Sequence, residues 1–159
     1  MTKRKPATST FWLMKTEPDE FSIDTLRAKH VARWDGVRNY QARNHLRAMQ
    51  LGDRAFIYHS SCAVPGIAGL GAIAASAYPD PSQFDPASQY HDPKSPLDEP
   101  RWSAVDVRFV RAFPALVSLA TLHEQPDLAG LLVLQRGSRL SVVPVSPAHA
   151  AVIMRLAGG

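Results

Sequence analysis

Trp34-Asp35-Gly36-Val37-Arg38-Asn39-Tyr40-Gln41-Ala42-Arg43-Asn44 is the run from which the rest of the chain can be read. Gly36 sits at the centre of a polar segment, so residues 34–38 are expected to form a turn. A helix is expected from Tyr40 to Gln50, because Ala42, Leu46 and Met49 recur at helical spacing. Arg43 and Arg47 are four residues apart, on a different face from those apolar residues. A large aromatic, an amide and a second aromatic thus stand just ahead of a basic amphipathic helix. That combination suits a pocket for an unstacked nucleobase: rings to stack on, an edge reader, and arginines for phosphate.

Outward from this run, Thr10 to Lys15 reads as a first strand stopped by Pro18, and Asp24 as the cap of a short helix over 25–29. Arg54 to Ser60 reads as a strand with Phe56 and Tyr58 on one side and Ile57 and His59 on the other. Pro65 to Ala77 is a second strand, in which Gly69 and Gly71 share a face and leave room for something flat. Residues 78–100 hold six of the 13 prolines, with Asp-Pro pairs at 80–81, 85–86 and 92–93. Such regular punctuation argues for fixed turns. Trp102 to Phe113 is a long strand, 117–122 a short strand or turn, 128–134 a short helix, and Arg139 to Val145 the last strand. Ser146-Pro147 then supplies a cap and an N1 proline for a terminal helix to about Leu156. Five or six strands with short helices between them argue for an α+β fold, a small mixed β-barrel with peripheral helices.

At 159 residues and 45% apolar composition, one globular domain is expected over 10–157, behind a disordered basic tail at 1–9. The net charge of +4 says little about partners. Setting aside Lys3, Arg4 and Lys5 leaves 15 basic and 14 acidic residues, a net of +1. Distribution says more: residues 27–54 carry a net +5 and residues 79–100 a net −4, a polarity able to orient a polyanion. No apolar run is long enough to span a bilayer, so no membrane partner is expected. No apolar stretch follows Met1–Lys5, and a lone cysteine, Cys62, fits a reducing compartment; a cytoplasmic protein is expected.

Catalytic and metal chemistry find little support. The six histidines are dispersed, no cysteine pair exists, and no phosphate loop or nucleophile elbow is present, so no cofactor and no metal are expected. Asn39 either caps the following helix or presents its amide to a base edge. Trp102 either closes a pocket opposite Trp34 or anchors the Pro-rich loop. Tyr58 would offer its hydroxyl at a pocket mouth. A rival reading is a small hydrolase working on nucleic acid with Glu17, Asp35 and His59; another is a protein-interaction module built on the Pro-rich loop.

Four motifs occur in order: Trp12-Leu13-Met14-Lys15-Thr16-Glu17-Pro18, the run from Trp34, Tyr58-His59-Ser60, and Arg139-Leu140-Ser141-Val142. With these the chain resembles the EVE domain family of the PUA-like superfamily, over about residues 11–156. The family pattern has Ser and Gln where this chain has Thr16 and Val143; Val143 removes an amide from the last strand. The resemblance implies a PUA-like barrel and a nucleic-acid-binding module, DNA or RNA, that takes a modified base into an aromatic pocket. Some relatives in the group, the YTH domains, likewise place a tryptophan ahead of a helix, a strand and a glycine-bearing strand. Mapped onto this chain, the expected pocket is Trp34, Arg38, Asn39, Tyr40, Tyr58, Ser60 and Trp102, with loop 78–102 as a partial lid. Arg43, Arg47 and Arg54 are the expected phosphate contacts, and no enzymatic activity is expected.

Overall fold

A computed structural model describes residues 11–136 and 139–158; the expected basic tail lies outside them. The strands are β1 (Phe11–Thr16), β2 (Val31–Trp34), β3 (Arg54–His59), β4 (Gly66–Pro79), β5 (Ser103–Ser118) and β6 (Val142–Val145). The helices are α1 (Ile23–Lys29), α2 (Tyr40–Ala48), α3 (Leu119–His123) and α4 (Pro147–Leu156). All six strands join one mixed sheet in the order β2-β5-β4-β3-β1-β6, with β1 and β3 parallel and the other pairs antiparallel.

The fold is α+β with six strands and short peripheral helices, as expected, but the sheet is not closed into a barrel. Its edges are β2 and β6, each four residues long. Register shifts at several points along the β4–β5 pair bend the long central strands. This curl gathers Trp12, Met14, Ala32, Trp34, Ile57 and Val107 with α1 and α2 into one core. A second core on the opposite face joins Leu13, Phe56, Tyr58 and Val143 to α3 and α4. Alternation along β1 and β3 therefore feeds two interiors, so both strands read as nearly unbroken apolar runs. No helix among the described residues is long and apolar enough to cross a membrane.

Several local expectations are corrected. Ser22, not Asp24, caps α1, its hydroxyl accepting from the Thr25 N–H at 3.1 Å. Residues 31–34, the last of them placed in a turn on sequence, form β2, pairing Trp34 with Val105. Strand β5 runs on to Ser118 and α3 follows at once, in place of the short strand or turn expected over 117–122. The helix expected over 128–134 is replaced by two short 3-10 segments, Pro126–Leu128 and Leu132–Leu134. The space over Gly69 and Gly71 is already filled by the protein: a Cβ at Gly69 would stand 2.6 Å from Ile23 Cδ1 of α1, and one at Gly71 2.6 Å from Val107 Cγ1 of β5. Those glycines make room for a helix side chain and a neighbouring strand, not for a ligand.

The Pro-rich segment between β4 and β5 is built from fixed turns. Each Asp of its Asp-Pro pairs accepts from the backbone N–H two residues on: Asp80 from Ser82 at 2.8 Å, Asp85 from Ala87 at 2.9 Å, Asp92 from Lys94 at 3.0 Å. At its centre lies Gln83, wholly buried. Its amide donates to the carbonyls of Asp80 (2.7 Å) and Trp102 (2.9 Å). Its oxygen accepts from Ser95 Oγ (2.6 Å) and the Trp102 N–H (3.1 Å). One side chain thus ties the two ends of the segment to its middle. Gln83→Leu keeps roughly the volume and leaves the Trp102 N–H and the Ser95 hydroxyl without their acceptor, while the Asp80 and Trp102 carbonyls keep only their backbone donors. Urea unfolding should report a loss of about 2–4 kcal/mol, with early proteolytic cleavage between Asp80 and Trp102. An unchanged midpoint would show that this amide does not hold the segment.

Candidate nucleic-acid interface

One cavity of about 950 Å³ opens between the C-terminal ends of β1, β2 and β3, the approach to β6 and the Pro-rich segment. All four sequence motifs reach it. Because β1 and β3 are parallel, their C-terminal ends lie side by side, and the Ser60 N–H donates to the Thr16 carbonyl at 2.9 Å. The approach to β6 runs antiparallel to β1, and the Lys15 N–H donates to the Ser141 carbonyl at 2.8 Å. From the far edge, β2 delivers Trp34 and the turn after it. Lys15, Thr16 and Glu17, residues 34–39, Ser60 and Ser61, and Arg139 and Ser141 thereby line one space. Val143, by contrast, is sealed in the second core, so the approach to β6 presents a hydroxyl and an arginine instead.

Trp34 is 7% exposed and part of the first core. Sequence reading placed it outside the core, in a polar turn; it is instead the last residue of β2, with one side packed and another on the cavity wall. The Phe21 ring meets it edge-on, centroids 5.6 Å apart at 82°. Asn39 caps α2, its oxygen accepting from the Ala42 N–H at 2.9 Å, and also lines the cavity. Across the opening stand Gln89 and Tyr90 of the Pro-rich segment, which therefore forms one wall.

Arg38 braces that wall. Its Nε and Nη2 donate to the Tyr90 carbonyl (3.1 and 2.8 Å), Nη1 to the Val37 carbonyl (2.9 Å) and Asp80 Oδ2 (3.0 Å), and Nη2 also to Ser82 Oγ (3.0 Å). All the N–H groups of the guanidinium are thus engaged within the protein. Asp80 is wholly buried and also accepts from the Gly36 N–H at 2.9 Å. Burial alone would raise its pKa; the hydrogen bonds from Ser82, Gly36 and Arg38 outweigh burial and hold it below the ordinary carboxylate value. Gly36 has a φ of +80°, and a Cβ there would lie 2.8 Å from the Tyr90 ring, so only glycine suits the position. Burial depresses the Lys15 ammonium, while the Asp35 carboxylate, 3.1 Å away, raises the Arg33 guanidinium.

Of the expected pocket residues, Trp34, Arg38, Asn39 and Ser60 meet at this cavity; Tyr40, Tyr58 and Trp102 do not line it. Tyr58 is 4% exposed on the opposite face of the sheet, in the second core. Trp102 anchors the Pro-rich segment: its Nε1 donates to Asp92 Oδ2 at 2.7 Å and its ring stacks on Tyr40 at 4.8 Å. Arg43 donates to the Arg101 carbonyl at 3.0 Å, and Arg47 to Ser103 Oγ at 2.9 Å. Arg54 opens β3, paired with Phe11 and Ala72. Sequence reading passed over Phe21, Gln89, Tyr90 and Asp80. The Asp-Pro rhythm and the lone aromatics of the acidic segment were the available signal.

The geometry defines a protein class: a curled mixed sheet holding, at the ends of its strands, a largely polar cavity with Phe21, Trp34 and Tyr90 on its walls. The EVE domain model matches residues 10–156, and the chain belongs to that family. A crystal structure of a Pseudomonas putida protein is similar at TM-score 0.91 and 56% identity, covering 92% of this chain and 99% of that one. Human thymocyte nuclear protein 1 is 47% identical over 156 residues, covering 87% of this chain and 69% of the relative. The crystal structure of human THYN1 in complex with 5-methylcytosine containing DNA is similar at TM-score 0.89 and 43% identity, covering 94% of this chain and 98% of that one.

His59, at the end of β3, holds α1 in place: its Nε2 accepts from the Ile23 N–H at 3.1 Å, which requires the neutral ring. Burial lowers its pKa below the ordinary 6.5, against a smaller opposing pull from Asp24. A folded-state pKa below the unfolded one gives stability that is full above the unfolded value and lost as pH falls through it toward the folded value. The melting temperature should therefore drop as pH falls below about 6.5, and drop less in His59→Gln, which keeps an acceptor without a titrating ring. Parallel pH profiles for the two proteins would remove His59 from this role.

Proposed function

We propose that this protein binds nucleic acid and receives a modified base, of the 5-methylcytosine kind, in the cavity at the strand ends of its sheet. The observation that carries the reading is the convergence of all four motifs on that cavity, in a chain 43% identical to a human relative whose structure holds 5-methylcytosine containing DNA. Trp34 supplies an apolar face and Phe21 steadies its ring. Asn39, with its oxygen committed to α2, offers amide N–H groups to the base edge; Ser60 and Ser141 add hydroxyls.

The same arrangement supports binding over catalysis. His59 is occupied at the start of α1, and Asp35 is paired with Arg33, so neither is poised as an acid or base. Stacking one base contributes about 1–3 kcal/mol, while extracting it from a duplex costs a few kcal/mol. Loose or single-stranded sites are therefore favoured over intact duplex.

Trp34→Phe tests the pocket, since it keeps an aromatic in the core. Fluorescence anisotropy with single-stranded oligonucleotides carrying cytosine or 5-methylcytosine should show affinity for the methylated strand reduced by about tenfold. The melt should shift by only a few degrees. Undiminished affinity would place the base elsewhere.

Arg43 and Arg47 lean on backbone carbonyls, the Asn44 amide oxygen and a hydroxyl, so in these contacts no carboxylate cancels their charge. We assign them to phosphates, with Arg54 as a further candidate. Changing Arg43 and Arg47 to Gln should weaken methylated and unmethylated strands alike and lower the salt slope by about 1–2. A salt slope equal to the parent's would show this helix face to be merely solvated.

A further inference from the structure

A second cavity of about 510 Å³ adjoins the first. The two share Arg33, Asp35, Gln89 and Tyr90, so they form neighbouring chambers with a common partition. We infer that the smaller chamber seats the base next to the modified one, making recognition dependent on the neighbouring nucleotide. This inference rests on the base-binding reading of the larger cavity.

The partition is a fixed aromatic. The Tyr90 ring lies directly over Gly36, with the Arg38 guanidinium 5.6 Å from its centroid. Its backbone is held at both ends, the N–H donating to Ser88 Oγ at 3.0 Å and the carbonyl accepting from Arg38. A ring immobilised in this way stacks a base at little entropic cost. The chamber falls within the range of about 300–1,000 Å³ that small ligands occupy.

The wall chemistry excludes phosphate and selects among bases. Asp35 and Asp85 face the chamber against one cation, Arg33, which is already paired with Asp35. A phosphate would meet net repulsion there. Ionised carboxylates only accept hydrogen bonds, so the favoured occupants are adenine, cytosine and guanine, whose exocyclic amino groups offer two N–H donors, over thymine, whose single edge donor, N3–H, lies between two carbonyl oxygens. Gln89 stands exposed beside them as an adaptable edge reader.

The test uses the whole protein and single-stranded DNA with one 5-methylcytosine. The nucleotide on each side is varied in turn among the four bases and an abasic residue. On one side only, the abasic substitution should weaken binding about tenfold, with thymine weaker than the amino-bearing bases. Pro81→Trp fills the chamber from an exposed position that has no N–H to lose. It should erase the neighbour dependence and keep the ratio of methylated to unmethylated affinity, with a melt lowered by no more than a few degrees for the lost proline. Equal affinity for every neighbour on both sides, with methyl discrimination intact, overturns this inference alone. Loss of methyl discrimination in the parent protein overturns the base-binding reading beneath it.

Discussion

The buried carboxylate of Asp80 is the constraint on which the site depends. It receives the Gly36 N–H, the Arg38 guanidinium and both the N–H and hydroxyl of Ser82. Two pieces of chain more than forty residues apart, the turn after β2 and the start of the Pro-rich segment, are locked together at one point. A buried charge is tolerable only when hydrogen-bonded on this scale. The return is position: Trp34 lies at one end of the locked turn and Tyr90 against its middle, so both aromatic walls take their place from the same carboxylate.

Around that lock the rest of the molecule divides labour. One core, under α1 and α2, backs the cavity; the other, under α3 and α4, stabilises the opposite face of the sheet without touching it. Every buried side-chain polar atom among the described residues has a partner. The polar groups that shape the loop wall, Gln83 above all, therefore act as fully satisfied struts.

The sequence made some of this legible and hid the rest for identifiable reasons. Long elements with a clean period, such as β3, β4, α2 and α4, could be read from residue patterns and caps. Strand β2 could not: four residues carry too little alternation, and Trp34 at its end borders a polar glycine turn, so it read as part of that turn. Gly69 and Gly71 announced a close approach, but not that Ile23 of α1 and Val107 of β5 would be what approaches. The site was half visible. The motifs flagged Trp34, Arg38, Asn39 and Ser60, whose walls come from strand ends. Tyr58 and Trp102 misled because side-chain direction depends on the curl of the sheet and on an acidic segment folding back. Nothing local in Asp80 or Gln83 records that they end up buried; that follows only from long-range closure.

The open sheet has a further consequence, for solubility. A sheet left unclosed exposes two strand edges that could pair with another molecule. Here both are only four residues long. The outer one on β6 carries Pro144, which has no N–H to offer a new neighbour, and β2 carries the charged Arg33. The cleft is therefore bordered by edges too short and too interrupted to template intermolecular strands, so an unclosed sheet need not invite fibrous association.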